Sequence, residues 1–244
     1  TMKKQVKSGL WNSTFGEIGA TLKALEDQGL SLEEMALLRS DKVLAQEVVK
    51  LIKSRTKIET SDILTTWQKI YHEWFDMEID ISGLQVPENY NPEKHFLVLV
   101  AKDITMNTVV EAMRKRFKVY LYTEDLNSDV TKNDRSSEGG HYLVLFNKNV
   151  EADEEFKNMS ADDLAKKEHK GITLLERLLL EVLYFSETKK HLDTDNWTLC
   201  SGSRGSVGYV PEVNWRSDYD GLSVRWYLSG HSDDSLRSRV VVSF

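Results

Sequence analysis

The chain is poor in cysteine and proline, with one and three respectively, and it has no long hydrophobic run. A single thiol, Cys200, excludes an intramolecular disulfide and fits a reducing compartment, or a particle assembled in one. No stretch approaches the roughly 18 apolar residues of a membrane-spanning helix. No apolar signal core follows the basic start at Lys3 and Lys4. The default expectation is a soluble protein in the cytoplasm, with action on a virion or at a cell surface left open. Positive charge is also in short supply: 32 Lys and Arg against 39 Asp and Glu leave a net charge of −7. That balance argues against generic binding to a phosphate backbone, which needs a basic face.

What the chain does have is apolar material, 40% of its residues, enough to bury a core over one large or two small domains. The first sixty residues read as short amphipathic helices in series. Ser13 or Thr14 can cap a segment in which Phe15, Ile18, Leu22 and Leu25 recur at helical spacing, and Gly29 ends it. Ser31 and Glu34 form a capping box ahead of Met35, Leu37 and Leu38. A third helix starts at Ser40 and carries Val43, Leu44, Val48, Leu51 and Ile52; a fourth spans about 61–74. Each helix has one apolar stripe that something must cover. Residues 1–85 are therefore expected to form a helical module, with homo-oligomerisation as one use for those stripes.

Pro87 and Pro92, with Asn89 and Asn91, mark a linker over 83–92. Beyond it the pattern predicts a strand over 95–101, a helix over 105–116, a strand over 118–122, an exposed polar loop over 127–140 and a strand over 141–146. Residues 149–170 are charged and predicted helical at the surface. Ile172, Leu175, Leu178, Leu179, Val182, Leu183 and Phe185 then give a broad apolar helix face, with Glu176, Arg177, Glu181 and Glu187 mostly turned away from it. Strands mixed with helices after a helical start define an α+β protein, with a mixed α/β domain over 92–244 that ends in antiparallel strands.

From Trp197 onward apolar residues alternate with period two, the mark of strands with one buried face. Val213 and Trp215 point one way, Glu212, Asn214 and Arg216 the other. After a turn over 217–221, whose Asp-Gly pair suits a hairpin, Leu222, Val224 and Trp226 alternate with Ser223, Arg225 and Tyr227. A second turn over 229–234 leads to a last strand over 236–243. The polar side of this hairpin shares no single chemistry: it is not a metal set, a nucleophile with its base, or a basic stripe. It does carry Tyr and Arg, types enriched where proteins bind proteins.

The run Trp197-Thr-Leu-Cys-Ser-Gly-Ser-Arg204, then Val210-Pro211, Val213, Trp215, Leu222, Val224, Trp226-Tyr227 and Leu236-Arg-Ser-Arg239, resembles the C-terminus of variable proteins of diversity-generating retroelements. The similarity covers 197–244 and extends more weakly back through Ile172–Glu181. It implies a C-type-lectin-like fold with a variable region over about 203–239, whose interleaved residues are replaced by mutagenic reverse transcription. On that resemblance the varied, ligand-binding residues are Gly205, Tyr209, Glu212, Asn214, Arg216, Tyr219, Ser223, Arg225, Tyr227, Leu228 and His231. The scaffold residues are Trp197, Trp215, Trp226, Arg237 and Arg239, with Arg204 expected to join the two later arginines in structural hydrogen bonds. The implied partner is a varied ligand, a protein by the Tyr and Arg content. Arg225 is expected to be replaceable at little cost in stability, Trp226 not. The chain departs from sugar-binding lectins: Asn214-Trp215-Arg216 does not reproduce their calcium motif, so neither calcium nor sugar carries over.

Chemistry has weaker signals. Cys200-Ser201-Gly202-Ser203 could hold a nucleophile, but none of the six histidines sits at a diagnostic spacing, and a buried structural thiol is the plainer reading. His72-Glu73 lacks the second histidine of a zinc helix. The acidic run Glu151 to Glu155 lacks the spacing of a calcium loop, and Gly202, Gly205 and Gly208 lack a phosphate-loop lysine. No metal and no cofactor are expected. Arg114, Lys115, Arg116 and Lys118 sit at a helix C-terminus, where the dipole favours cations. With Tyr120 and Tyr122 they form the basis of an alternative, single-stranded nucleic-acid binding. An enzyme with a site near Cys200 is the other alternative.

Overall fold

The computed structural model describes residues 15–242, apart from the side chains of 53–62, and divides into two units, 1–58 and 59–244. The proposed cap at Ser13 or Thr14 and the end of the last strand at Ser243 lie outside the described residues. In the first unit, α1 (Phe15–Asp27) and α2 (Leu32–Ser40) form as expected. Ser31 and Glu34 make the reciprocal capping box at the start of α2. Neither helix has a buried residue, and Phe15, Leu32 and Leu37 are exposed.

The third and fourth expected helices are one, α3 (Lys42–Phe75). No proline or glycine occurs between residues 42 and 75, so nothing in the backbone breaks the run. The division into units falls at 58/59 and not in the proline-bearing stretch 83–92. The reason is that Trp67, Ile70, Tyr71 and Trp74 bury themselves in the core of the second unit. Trp67 donates from Nε1 to the Leu97 carbonyl at 2.9 Å, and the Tyr71 hydroxyl donates to the Leu99 carbonyl at 2.8 Å while accepting from the Ala101 N–H. These bonds satisfy backbone groups of β1 (His95–Val100) and of Ala101 just after it; the strand partner of β1 is β4 (Tyr142–Asn147).

The second unit is α+β. Its main sheet has the order β2 (Lys118–Leu121), β8 (Gly221–Leu228), β7 (Tyr209–Arg216), β5 (Trp197–Leu199), β9 (Leu236–Ser238). β7 and β8 form the expected antiparallel hairpin, in the register Glu212↔Arg225, Val213↔Val224 and Asn214↔Ser223. β2 runs parallel to β8 on one side, and β9 parallel to β5 on the other. The expected loop over 127–140 contains structure of its own: a turn of helix α5 (Leu126–Asp129), then β3 (Val130–Asn133), which pairs with β6 (Ser203–Gly205). Within 149–170 only α6 (Ala161–Lys166) is α-helical. One face of the main sheet, through Val213, Leu222 and Val224, joins the core with α4 (Met106–Arg114) and α7 (Leu174–Thr188).

The charged side of α7 is the main correction to the sequence reading. Glu176, Arg177 and Glu181 do not face solvent; all three are fully buried, while Glu187 is exposed as expected. Arg177 donates from Nε to Asp193 Oδ2 at 2.9 Å and from Nη1 to Glu181 Oε2 at 2.8 Å. Arg239 donates to Asp193 Oδ1 at 2.7 Å and to the carbonyls of Asn149 and Val150 at 2.8 and 2.7 Å. Burial pushes the Asp193 carboxyl up, but Arg239 and Arg177 more than offset it and hold the group below its ordinary range. Nearby, Arg135 grips Glu176 with Nε and Nη2 at 2.6 and 2.7 Å. Each buried charge has an opposite one, which is the condition for keeping it in a core. Arg239→Ala would remove one of the two cations on Asp193 and leave that buried carboxylate short of a charge partner. It should cost about 3–5 kcal/mol in urea unfolding; a loss below about 1 kcal/mol would show that the network is incidental to stability.

Candidate functional site

Cross-strand register decides which side chains share the outer face of the sheet. Glu212, Asn214 and Arg216 of β7 lie beside Arg225, Ser223 and Gly221 of β8. Tyr120 of β2 is in register with Ser223, and Leu199 with Glu212, which places Trp197 on this face too. Trp197 was expected in the scaffold. Its ring instead stacks with Tyr227 at 6.3 Å between centroids, lies 4.9 Å from the Arg225 guanidinium carbon, and touches the second small core of Phe156, Leu164, Val210 and Leu236.

The expected variable residues do not form one exposed surface. Tyr209, Tyr219 and Leu228 are exposed, and Arg216, Arg225, Tyr227 and His231 are half-buried. Glu212, Asn214 and Ser223 are buried, at 0%, 5% and 2% exposure. Small or medium side chains at the centre of a sheet are shielded by longer neighbours, here Arg216, Arg225 and Tyr227, which alternation alone does not reveal. Gly205 is also buried. A Cβ there would come within 2.7 Å of the Trp226 ring and 3.1 Å of the Asp129 carbonyl, so larger residues at this position force Trp226 to move. Tyr209 and Leu228 pair with each other on the same side of the sheet as Val213 and Val224, at the hairpin's end. Two clusters result: a recessed polar centre on the outer face, and a corner at 205–209.

In the polar centre, Arg225 Nε donates to Glu212 Oε1 at 2.7 Å. Four buried atoms here have no hydrogen-bond partner: Glu212 Oε2, Asn214 Oδ1, Ser223 Oγ and Arg225 Nη2. Burial pushes the Glu212 carboxyl up to about 7, against the opposing pull of Arg225. Aromatic groups flank the centre on both sides. Tyr227 stacks on His231 at 4.5 Å. Tyr219 sits beneath Arg216 at 4.5 Å, against Tyr120 at 6.0 Å, and accepts a hydrogen bond from the Tyr120 hydroxyl at its carbonyl. Arg216 is also held by Asp218 at 2.5 Å. Sequence reasoning missed Tyr120 and Trp197 as members of this face, because only the pairing of β2 with β8 and of β5 with β7 places them there.

The scaffold set divides as well. Trp215 and Trp226 lie on the inner face as expected but are half-buried at its margins, Trp215 stacked on His191. Arg239 makes the hydrogen bonds expected of it, Arg204 donates to the Ser201 and Ser203 carbonyls, and Arg237 pairs with Glu154 at 2.5 Å. Arg225 is not the independent surface residue expected, since removing it strips Glu212 of its cation. Cys200 is fully buried, and burial pushes its thiol up, so it remains a protonated core group at neutral pH. Of the groups in the nucleic-acid alternative, Arg116 is stacked on Trp74 at 3.9 Å and donates to the Glu73 and Ala112 carbonyls, and Tyr120 is engaged with Tyr219. Among the described residues no helix is long and apolar enough to cross a membrane, and no three His, Cys, Asp or Glu side chains converge as a metal set would require.

Compared with models of known protein families, with curated proteins and with solved structures, the chain matches none.

The raised Glu212 value makes a stability prediction with a definite sign. Its folded-state value near 7 exceeds the ordinary 4.5, so folding favours the proton. The stability this contributes is fully present below about pH 4.5 and is lost as pH rises through 7. Glu212→Gln should flatten that slope, removing a difference of up to roughly 3 kcal/mol between acid and neutral pH. Urea midpoints measured at about pH 5 and about pH 8 for both proteins check this; equal slopes would mean that Glu212 stays ionised throughout.

Proposed function

We propose that this protein is a ligand-binding protein of the kind diversified by retroelement mutagenesis, on a C-type-lectin-like scaffold. The surface that varies is the outer face around Arg216, Tyr219, Arg225, Tyr227 and His231, together with the 205–209 corner. The ligand is a protein, since half-buried Tyr, Trp and Arg are the side chains that dominate protein–protein affinity. Self-association through the uncovered stripes of α1 and α2 belongs to the same proposal.

One observation carries the reading. The inner residues of the hairpin, Val213, Leu222 and Val224, are fully buried in the core, while the interleaved polar residues leave four buried atoms without partners. An unsatisfied buried polar atom costs about 1–3 kcal/mol. A face shaped only for stability has no reason to keep four of them side by side. A face whose residues are replaced without regard to their neighbours, or whose partners arrive with a ligand, does. The resemblance of Trp197–Arg239 to the variable proteins supports the same division into framework and varied positions.

Sequencing of the 3′ end of the gene and its flanking DNA across a natural population tests this. Substitutions are expected at Tyr209, Asn214, Arg216, Tyr219, Ser223, Arg225 and Tyr227, matched to adenines in a nearby template repeat. Val213, Trp215, Leu222 and Val224 should stay constant. Variation spread evenly over both sets, or none at all, overturns the proposal.

A further inference from the structure

At the corner of the hairpin lies a cavity of about 270 Å³, lined by the aromatic residues Tyr122, Tyr209 and Trp226 together with Thr123, Asp129 and Ser206. Its lining includes no lysine and no arginine. Elsewhere the chain covers its rings with its own cations: Arg116 on Trp74, Lys189 on Phe185, Arg216 on Tyr219 and Arg225 on Trp197. Among the described residues, the three rings of this cavity carry no such cation and make no ring contact with one another. Three separate aromatic side chains therefore border one space. Asp129 accepts a hydrogen bond from the Thr123 hydroxyl, a neutral donor, and among the described residues it makes no ion pair. Tyr122 and Tyr209 are exposed, at 63% and 39%, so the walls can be reached from solvent.

We infer that this corner is a cation-binding cage that takes the ammonium head of a lysine or methylated lysine side chain on the protein ligand. A ring face attracts a cation through its quadrupole, and the attraction strengthens where several rings exclude water around it. Asp129 supplies the counter-charge. The inference deepens the proposed function and rests on it at two positions: Gly205 and Tyr209 belong to the varied set, whereas Tyr122, Asp129 and Trp226 do not. The chain thus keeps the identity of two aromatic residues and the carboxylate constant, and residues 205 and 209 decide whether the cage closes. Gly205 is part of the construction, because the Trp226 ring lies against its backbone where a Cβ would stand.

Titration of the full-length protein with choline and with its neutral isostere 3,3-dimethylbutan-1-ol, by calorimetry or by NMR, tests the cage. Choline should bind at least roughly 10-fold more tightly than the isostere, since only the cation gains from the ring faces. Tyr122→Leu and Asp129→Asn should each weaken choline by roughly 5-fold or more. Tyr209→Phe should retain binding and Tyr209→Leu should lose it. Thermal melts of each variant confirm folding, and the exposed Tyr122 gives a variant that leaves the core intact. Equal affinity for the two probes, or undiminished choline binding in a folded Tyr122→Leu protein, overturns the inference. The population sequencing is independent of this result. Mapped variation without choline binding removes the cage alone, and choline binding without variation leaves a fixed cation site.

Discussion

Asp193 is the point on which the second unit turns. Its carboxylate receives Arg177 from α7 and Arg239 from the segment after β9, its N–H donates to the Val150 carbonyl, and its carbonyl accepts from the Trp215 N–H of β7. Its backbone is in the left-handed region, φ 53°, which a non-glycine residue holds only when its surroundings over-determine it. One residue thus ties the core helix, the 149–150 loop, β7 and the segment after β9. With Glu181 the group contains two cations and two anions, so it is neutral as a whole and closed to solvent. Removal of any member leaves an uncompensated charge in the core, which makes the network a selector of one arrangement more than a source of net stability.

That tie bears directly on the outer face. The hairpin cannot slide relative to α7 while Trp215 N–H is bonded to Asp193 and the Trp215 ring is stacked on His191, which itself pairs with Glu181 at 2.9 Å. With β7 held in register, a one-residue slip that would exchange inner for outer side chains is blocked. The outer face therefore owes its register to contacts of Trp215 with Asp193 and His191, none of which involves the outward side chains.

Much of the local structure was legible in the sequence. The capping box at Ser31, the strands near 95 and 142 and the β7–β8 hairpin all announce themselves by spacing alone. What was not legible is nonlocal. The charges on α7 read as a solvated face because helical periodicity shows where Glu176, Arg177 and Glu181 point but not that Arg135, Asp193 and Arg239 wait there, linked by bonds that span 16 to 46 positions in the chain. β3 looked like a loop because its partner, β6, lies some seventy residues on. At the candidate site, alternation correctly separated Val213 and Val224 from Glu212, Asn214, Ser223 and Arg225. It erred in equating the polar side with the wet side, since burial at the centre of a sheet depends on the length of neighbouring side chains.

The split between recessed centre and exposed rim sets different tolerances within one face. At Arg216, Tyr219 and His231, which retain contact with water, most replacements shift stability by only about ±0.5 kcal/mol. At Glu212, Asn214 and Ser223, a new polar group inherits a buried setting without partners, at about 1–3 kcal/mol for each atom left unsatisfied. Residues 212 and 225 are further bound to each other, because an anion at one position needs the cation at the other. A repertoire built on this hairpin would therefore be broad at its rim and narrow at its centre, with each central change filtered by folding before any ligand is met. At the 205–209 corner the two regimes meet: the Tyr209 side chain is exposed and escapes that filter, whereas any side chain at buried Gly205 must displace Trp226.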